Sequence, residues 1–147
     1  MRTLAVALAL ALSALSQASG PYAITQTFPL GGSGGWDYIV PDATTHRVFI
    51  GRTDRVMVVD GITGKLVGEV TGIKGAHGTA VVPDLGRGFA TSGNDQSVVM
   101  FDLKTFQTLS RIPAAEDADA IIYDSASDRV FTFNGDAHSS TVIDPVA

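Results

Sequence analysis

Four residues of this 147-residue chain can do chemistry at suggestive places: Trp36, Asp37, His77 and Asp119. An indole offers a flat apolar face on which a ligand can stack. Two carboxylates and an imidazole can accept hydrogen bonds, move a proton or gather round a cation. Each also has a structural role open to it. Asp37 and Asp119 can accept hydrogen bonds from turn amides, Trp36 can pack against a neighbouring element, and His77 can be a hydrogen-bonded turn residue. His46 and His138 have no acidic or histidine partner at metal-ligand spacing. We therefore expect Trp36, Asp37, His77 and Asp119 to bind a ligand, and assign no catalytic residue, metal ligand or cofactor.

Familiar catalytic signatures are missing. There is no cysteine, which removes disulfide scaffolds, CxxC redox motifs and thiol nucleophiles. HExxH, the P-loop and GxGxxG in a strand–helix setting do not occur. Gly31-Gly32-Ser33-Gly34-Gly35 satisfies G-x-S-x-G literally, but that motif needs a strand before the serine and a helix after it. No helical periodicity follows Gly35, so the segment reads as a flexible loop.

The elements that must position the four residues repeat about every 41 residues. Pro41-Asp42 recurs as Pro83-Asp84 and Tyr123-Asp124. Arg47-Val48-Phe49 recurs as Arg87-Gly88-Phe89 and Arg129-Val130-Phe131, and Val58-Val59-Asp60 as Met100-Phe101-Asp102 and Val142-Ile143-Asp144. Three landmarks keeping one period establish the repeat. Within a unit, short β-branched and aromatic runs alternate with Gly, Asp, Asn and Thr clusters, the strand-and-turn signature. Runs such as Val98-Val99-Met100-Phe101 are apolar on consecutive residues, as in strands covered on both faces. Four such strands per unit describe a β-propeller blade.

The blades are expected at 36–76, 77–118 and 119–147, the last incomplete. Alignment on Asp42, Asp84 and Asp124 puts Asp37, Thr79 and Asp119 in register at the mouth of a central funnel. The turns Arg52-Thr53-Asp54, Gly93-Asn94-Asp95 and Asp136-Ala137-His138 are expected on the same top face, and Asp60, Asp102 and Asp144 read as turn formers. Residues 19–35 supply a Gly-rich loop and, at Ala23–Phe28, an outermost strand donated to the last blade. Closed propellers need roughly four to eight blades. Three units, the last without its fourth strand, are therefore expected to be the N-terminal portion of a longer protein; a short chain that assembles into a ring is the alternative.

Residues 1–18 read as a secretory signal peptide: Arg2, the apolar run Leu4–Leu12, then Ser16-Gln17-Ala18 with small residues at the cleavage positions. That run is too short to span a bilayer, so no membrane span is expected after its removal. Lys+Arg total 10 and Asp+Glu 15, a net charge of −5. Removal of Arg2 with the signal makes it 9 − 15 = −6. Such a chain has no excess of cation to hold a phosphate backbone, and no nucleic-acid partner is expected. The mature protein is placed in the periplasm or outside the cell.

Gly34-Gly35-Trp36-Asp37-Tyr38, Val81-Val82-Pro83-Asp84-Leu85-Gly86-Arg87-Gly88-Phe89 and Arg129-Val130-Phe131-Thr132-Phe133-Asn134-Gly135 resemble the YncE-like proteins of the YVTN-repeat β-propellers. The four-letter core maps onto Phe49-Ile50-Gly51-Arg52, Phe89-Ala90-Thr91-Ser92 and Phe131-Thr132-Phe133-Asn134, with Phe for Tyr and Asn only in the third copy. The resemblance covers Tyr22 onward and implies a propeller of the cell envelope; similar propellers include lactone hydrolases and redox-enzyme subunits. Two functions are carried forward. One is a non-catalytic binding or scaffold propeller that takes a small molecule or an envelope protein at its top face. The alternative is a metal-dependent, lactonase-like hydrolase in which acidic residues of several blades converge on one divalent cation.

Overall fold

The computed structural model describes Gly20 and residues 22–146, so the expected signal peptide, residues 1–18, lies outside the described residues. Nine strands follow one another: β1 (Ile39–Asp42), β2 (Arg47–Asp60), β3 (Leu66–Val82), β4 (Arg87–Ser92), β5 (Ser97–Asp102), β6 (Thr108–Pro113), β7 (Ala118–Asp124), β8 (Arg129–Asn134) and β9 (Ser139–Ile143). All pairings are antiparallel, in one sheet ordered β1 to β6 and another ordered β7-β8-β9. No α-helix occurs among the described residues, and short 3-10 turns cover Pro83–Leu85 and Gly93–Asp95.

The two long strands each serve twice. β2 pairs with β1 through Arg47–Ile50 and with β3 from Thr53 onward. β3 pairs with β2 through Leu66–Thr71 and with β4 through Ala76–Val82. The first blade is thus β1, both halves of β2 and the first half of β3. The second is the rest of β3 with β4, β5 and β6, and the third is β7, β8 and β9. The boundary between the first two blades falls inside one continuous strand.

Consecutive apolar residues are explained by burial on both faces. In β5, Val99 and Phe101 join Phe49, Val56, Val58, Val70 and Ala90 in the core between the first and second blades. The alternate residues Val98 and Met100 join Ala80, Val82, Phe89, Val130 and Ile143 between the second and third. A strand's two-residue alternation therefore feeds two cores from one apolar run. The Phe49 and Phe101 rings meet at 6.1 Å between centroids, tilted by 44°. On the outer face of the first blade, Ile50, Met57 and Val59 form a third cluster capped by Leu30.

The repeat extends to backbone conformation. Left-handed residues recur at matching turns: His46, Gly86 and Asp128; Thr53, Gln96 and His138; Gly64 and Phe106; Gly75 and Asp117. The fold demands positive φ at these places whatever side chain is there. Asp60 accepts from the amides of Ile62 and Thr63, and Asp102 from those of Lys104 and Thr105, so both are turn formers as expected.

Arginines at one repeat position tie each blade to the next. Arg47 donates to the Leu103 carbonyl at 2.6 Å, with its guanidinium 5.3 Å from the Phe106 ring. Forty residues on, Arg87 donates to the Pro145 carbonyl. Arg129, next in the series, lies 3.4 Å from Asp144 of its own blade.

The segment 23–28 pairs with no strand among the described residues, and Tyr22 is 92% exposed. Its end is fixed instead by side-chain packing, with the Phe28 ring over Gly64 so closely that no Cβ fits there.

Candidate functional site

Strand register places the candidate residues. Ile39 faces Ile50, Thr79 faces Ala90 and Ile121 faces Thr132, each at the same depth of its blade. Counting back two residues makes Asp37, His77 and Asp119 equivalent, one from each blade. The expected register of Thr79 with Asp37 and Asp119 is therefore wrong by two residues. Asp42 pairs with Arg47 and Asp124 with Arg129, but it is Val82 that pairs with Arg87. Asp84 belongs to the 3-10 turn beyond the strand, so the repeated Pro-Asp was a false anchor.

The three side chains meet. His77 Nδ1 lies 2.8 Å from Asp37 Oδ2 and 3.8 Å from Asp119 Oδ1. Asp37 Oδ1 also accepts from the Tyr38 amide at 2.9 Å. One donor atom from each residue fits a group whose members all lie within 4.8 Å of one another. Burial pushes the Asp119 carboxyl above its ordinary range; His77 opposes the shift, and the Asp37 and Asp117 carboxylates reinforce it.

Bare backbone lets the blades approach at this mouth. A Cβ on Gly51 would collide with the His77 carbonyl, and one on Gly78 would lie 3.0 Å from Ile121 and 3.1 Å from the Asp119 carbonyl. Thr91 stitches the second blade to the third: its hydroxyl donates to the Asp119 carbonyl at 2.8 Å and accepts from the Gly78 amide at 2.9 Å. His77 and Asp119 are thus fixed by main chain as well as by each other.

Trp36 is 57% exposed and stacks on Arg52, whose guanidinium carbon is 3.7 Å from the ring centre. Arg52 is the residue that sequence reasoning missed. It is fully buried and donates to the carbonyls of Gly31, Gly32, Ser33, Gly34 and Gly35 at 2.7–3.3 Å. The Gly31–Gly35 segment, expected to be flexible, is wrapped round this guanidinium, and Arg55 also donates to the Ser33 carbonyl. Positive φ at Gly31, Gly32 and Gly34 turns successive carbonyls toward one cation. Ser33 contributes its carbonyl there, in agreement with rejecting it as a nucleophile.

Trp36, Asp37, Thr53, His77 and Asn94 line a cleft of about 230 Å³ between the first two blades. Thr53 and Asn94 come from the hairpin turns, so both turn types share this face as expected. Asp119 also faces a second cleft of about 290 Å³, with Phe133, Asn134 and His138. His46 stands apart, in the turn between β1 and β2.

No protein-family model matches the chain, and no curated protein matches it. Solved structures do. A hydrazine synthase chain from Kuenenia stuttgartiensis superposes with a TM-score of 0.72 at 21% identity, over 85% of this chain and 37% of that one. The β-propeller domain of Cps50 (Swd1) from Myceliophteria thermophila superposes with a TM-score of 0.68 at 14% identity, over 86% of this chain and 40% of that one. At such identities the likeness shows the fold alone: the chain has the β-propeller fold, in blades that do not close a ring among the described residues. It spans about two fifths of the length of these solved chains.

Proposed function

We propose that this chain is the blade-bearing part of a non-catalytic binding or scaffold propeller of the YncE-like, YVTN-repeat kind, which works in the periplasm or outside the cell. Its ligand, a small molecule or a segment of an envelope protein, enters the top face beside Trp36. The convergence of Asp37, His77 and Asp119 from three blades next to a half-exposed indole carries this reading. Propellers gather a site from the equivalent ends of their inner strands, and fold alone does not assign the task. Both Asp37 oxygens are already engaged, by Tyr38 and His77, which suits a preorganised recognition surface better than a free base. The N-terminal apolar run supports export, and the acidic balance supports a partner other than nucleic acid.

Trp36 is the only tryptophan, so its emission reports on this mouth alone. Titration with panels of sugars, organic acids, amino acids and short peptides should give saturable changes, lost in the His77→Gln/Asp119→Asn double variant. A panel that leaves emission unmoved, or moves it equally in the variant, removes the reading.

The close approach of two carboxylates and an imidazole supports a second reading, a metal-dependent hydrolase of the lactonase type. Lactone opening that a chelator abolishes and Zn2+ or Mn2+ restores would establish it; turnover indifferent to chelator would dismiss it.

A further inference from the structure

We propose that Asp37, His77 and Asp119 together bind one divalent first-row transition-metal cation of the Zn2+ class, which ties the three blades at the mouth and keeps a coordination position open toward Trp36. The proposal rests on the top-face mouth being the binding site and names what it holds first.

The donor chemistry selects the cation. Two carboxylates and one imidazole suit Zn2+ or Mn2+. Ca2+ takes six to eight oxygens and Mg2+ keeps to oxygen and water, so an imidazole among three donors argues against both. Tetrahedral zinc with ligands at about 2.1 Å sets its donors about 3.4 Å apart. The observed 2.8 and 3.8 Å separations from His77 Nδ1 bracket that spacing. Coordination takes the Nδ1 lone pair, so the ring proton then sits on Nε2. Gly93 packs against that side of the ring, where a Cβ would lie 3.2 Å from Nε2.

The scaffold supplies what a bare acidic cluster lacks. The three donors stand at one repeat position on three blades, with main-chain contacts at Gly51, Gly78 and Thr91 fixing two of them. A separate open cleft of about 220 Å³ beside the same inner strands is lined by Val40, Thr79 and Ile121. Thr79 is 3% exposed, and among the described residues its hydroxyl is the one buried side-chain polar atom without a partner. A buried hydroxyl is ordinarily satisfied by protein or by ordered water. An ordered water in that cleft would satisfy it.

The test uses the full chain, stripped with chelator and dialysed, with Zn2+ alone as the first probe. Calorimetry should give one saturable site per chain, and Tm should rise with Zn2+ concentration because the ion binds only the folded arrangement. Mn2+ at the same site should quench Trp36 fluorescence through its proximity. Asp37→Asn, His77→Gln and Asp119→Asn should each abolish saturable binding and the Tm rise, whereas Asp117→Asn should keep both. Circular dichroism of the metal-free variants checks that they are folded. Absence of a saturable site, or binding unchanged by all three substitutions, overturns the proposal. If Zn2+ fails while organic ligands or peptides still move Trp36 emission, the metal falls and the binding mouth stands. If both fail, both readings fall.

Discussion

The Arg52 guanidinium lies 3.7 Å from the centre of the Trp36 ring, while its nitrogens bond five successive loop carbonyls. A cation without water is tolerated here because carbonyl dipoles and an aromatic face replace its hydration. Lysine offers three donors and no planar fork. Arg52→Lys is therefore expected to cost about 1.5–3 kcal/mol, the range for losing a hydrogen bond to a charged group. The urea midpoint should fall and Trp36 emission should shift to the red. An unchanged midpoint would show that water replaces the guanidinium without loss.

Gly51 faces the His77 carbonyl with no space for a methyl group. Both are strand backbone, so neither yields cheaply. Gly51→Ala should cost about 1–3 kcal/mol, the usual range for overpacking. It should also displace His77, read as a changed imidazole shift in NMR and weaker ligand response at Trp36. A variant with wild-type stability and an unmoved His77 signal would contradict the contact.

Arg87 holds the third blade by the Pro145 carbonyl. Arg87→Ala should cost about 1.5–3 kcal/mol. Hydrogen exchange locates the effect: amides of β7, β8 and β9 should lose protection while those of β2 keep theirs. Uniform loss of protection would place the role of Arg87 in the whole fold and not in the tie.

Acid should destabilise the protein. The Thr63 amide and hydroxyl hold Asp60 below the ordinary carboxylate range, and those of Thr105 do the same for Asp102. Ser127 lowers Asp124. Burial opposes the shift at Asp42, where bonds from Thr45 and Thr44 prevail, and at Asp95, where Ser92, Ser97 and Arg111 prevail. Groups depressed in the folded state contribute stability above their unfolded pKa and lose it as pH falls through the folded value. Asp119 is raised, so its contribution has the opposite sign and is lost as pH rises. Five against one, the urea midpoint should hold from about pH 7 to 5 and fall below about pH 4. A midpoint that rises on acidification would show that Asp119 dominates.

Strands, repeat and blade were legible because they depend on local patterning. Val98 to Phe101 announces a doubly covered strand by its apolar continuity, and the blade cores confirm it. Asp37, His77 and Asp119 were legible through their turns, yet register misled at Asp84, since a Pro-Asp pair looks alike at a strand's end and in the turn beyond. Arg52 was invisible: nothing in its neighbours marks an arginine whose partners are main-chain carbonyls some twenty residues earlier. Ala23–Phe28 has a strand's composition, but pairing is a property of what lies alongside it.

The arginine ties also set an order in time. Arg47 waits for Leu103, 56 residues later, and Arg87 for Pro145, 58 residues later. A chain leaves the ribosome from its N-terminus, so each blade is born before the carbonyl that fastens it. The first and second blades therefore each pass through an interval in which they are complete in strands yet unfastened. Nascent-chain lengths at which protease resistance appears should step by one repeat, each lagging the blade's own last strand.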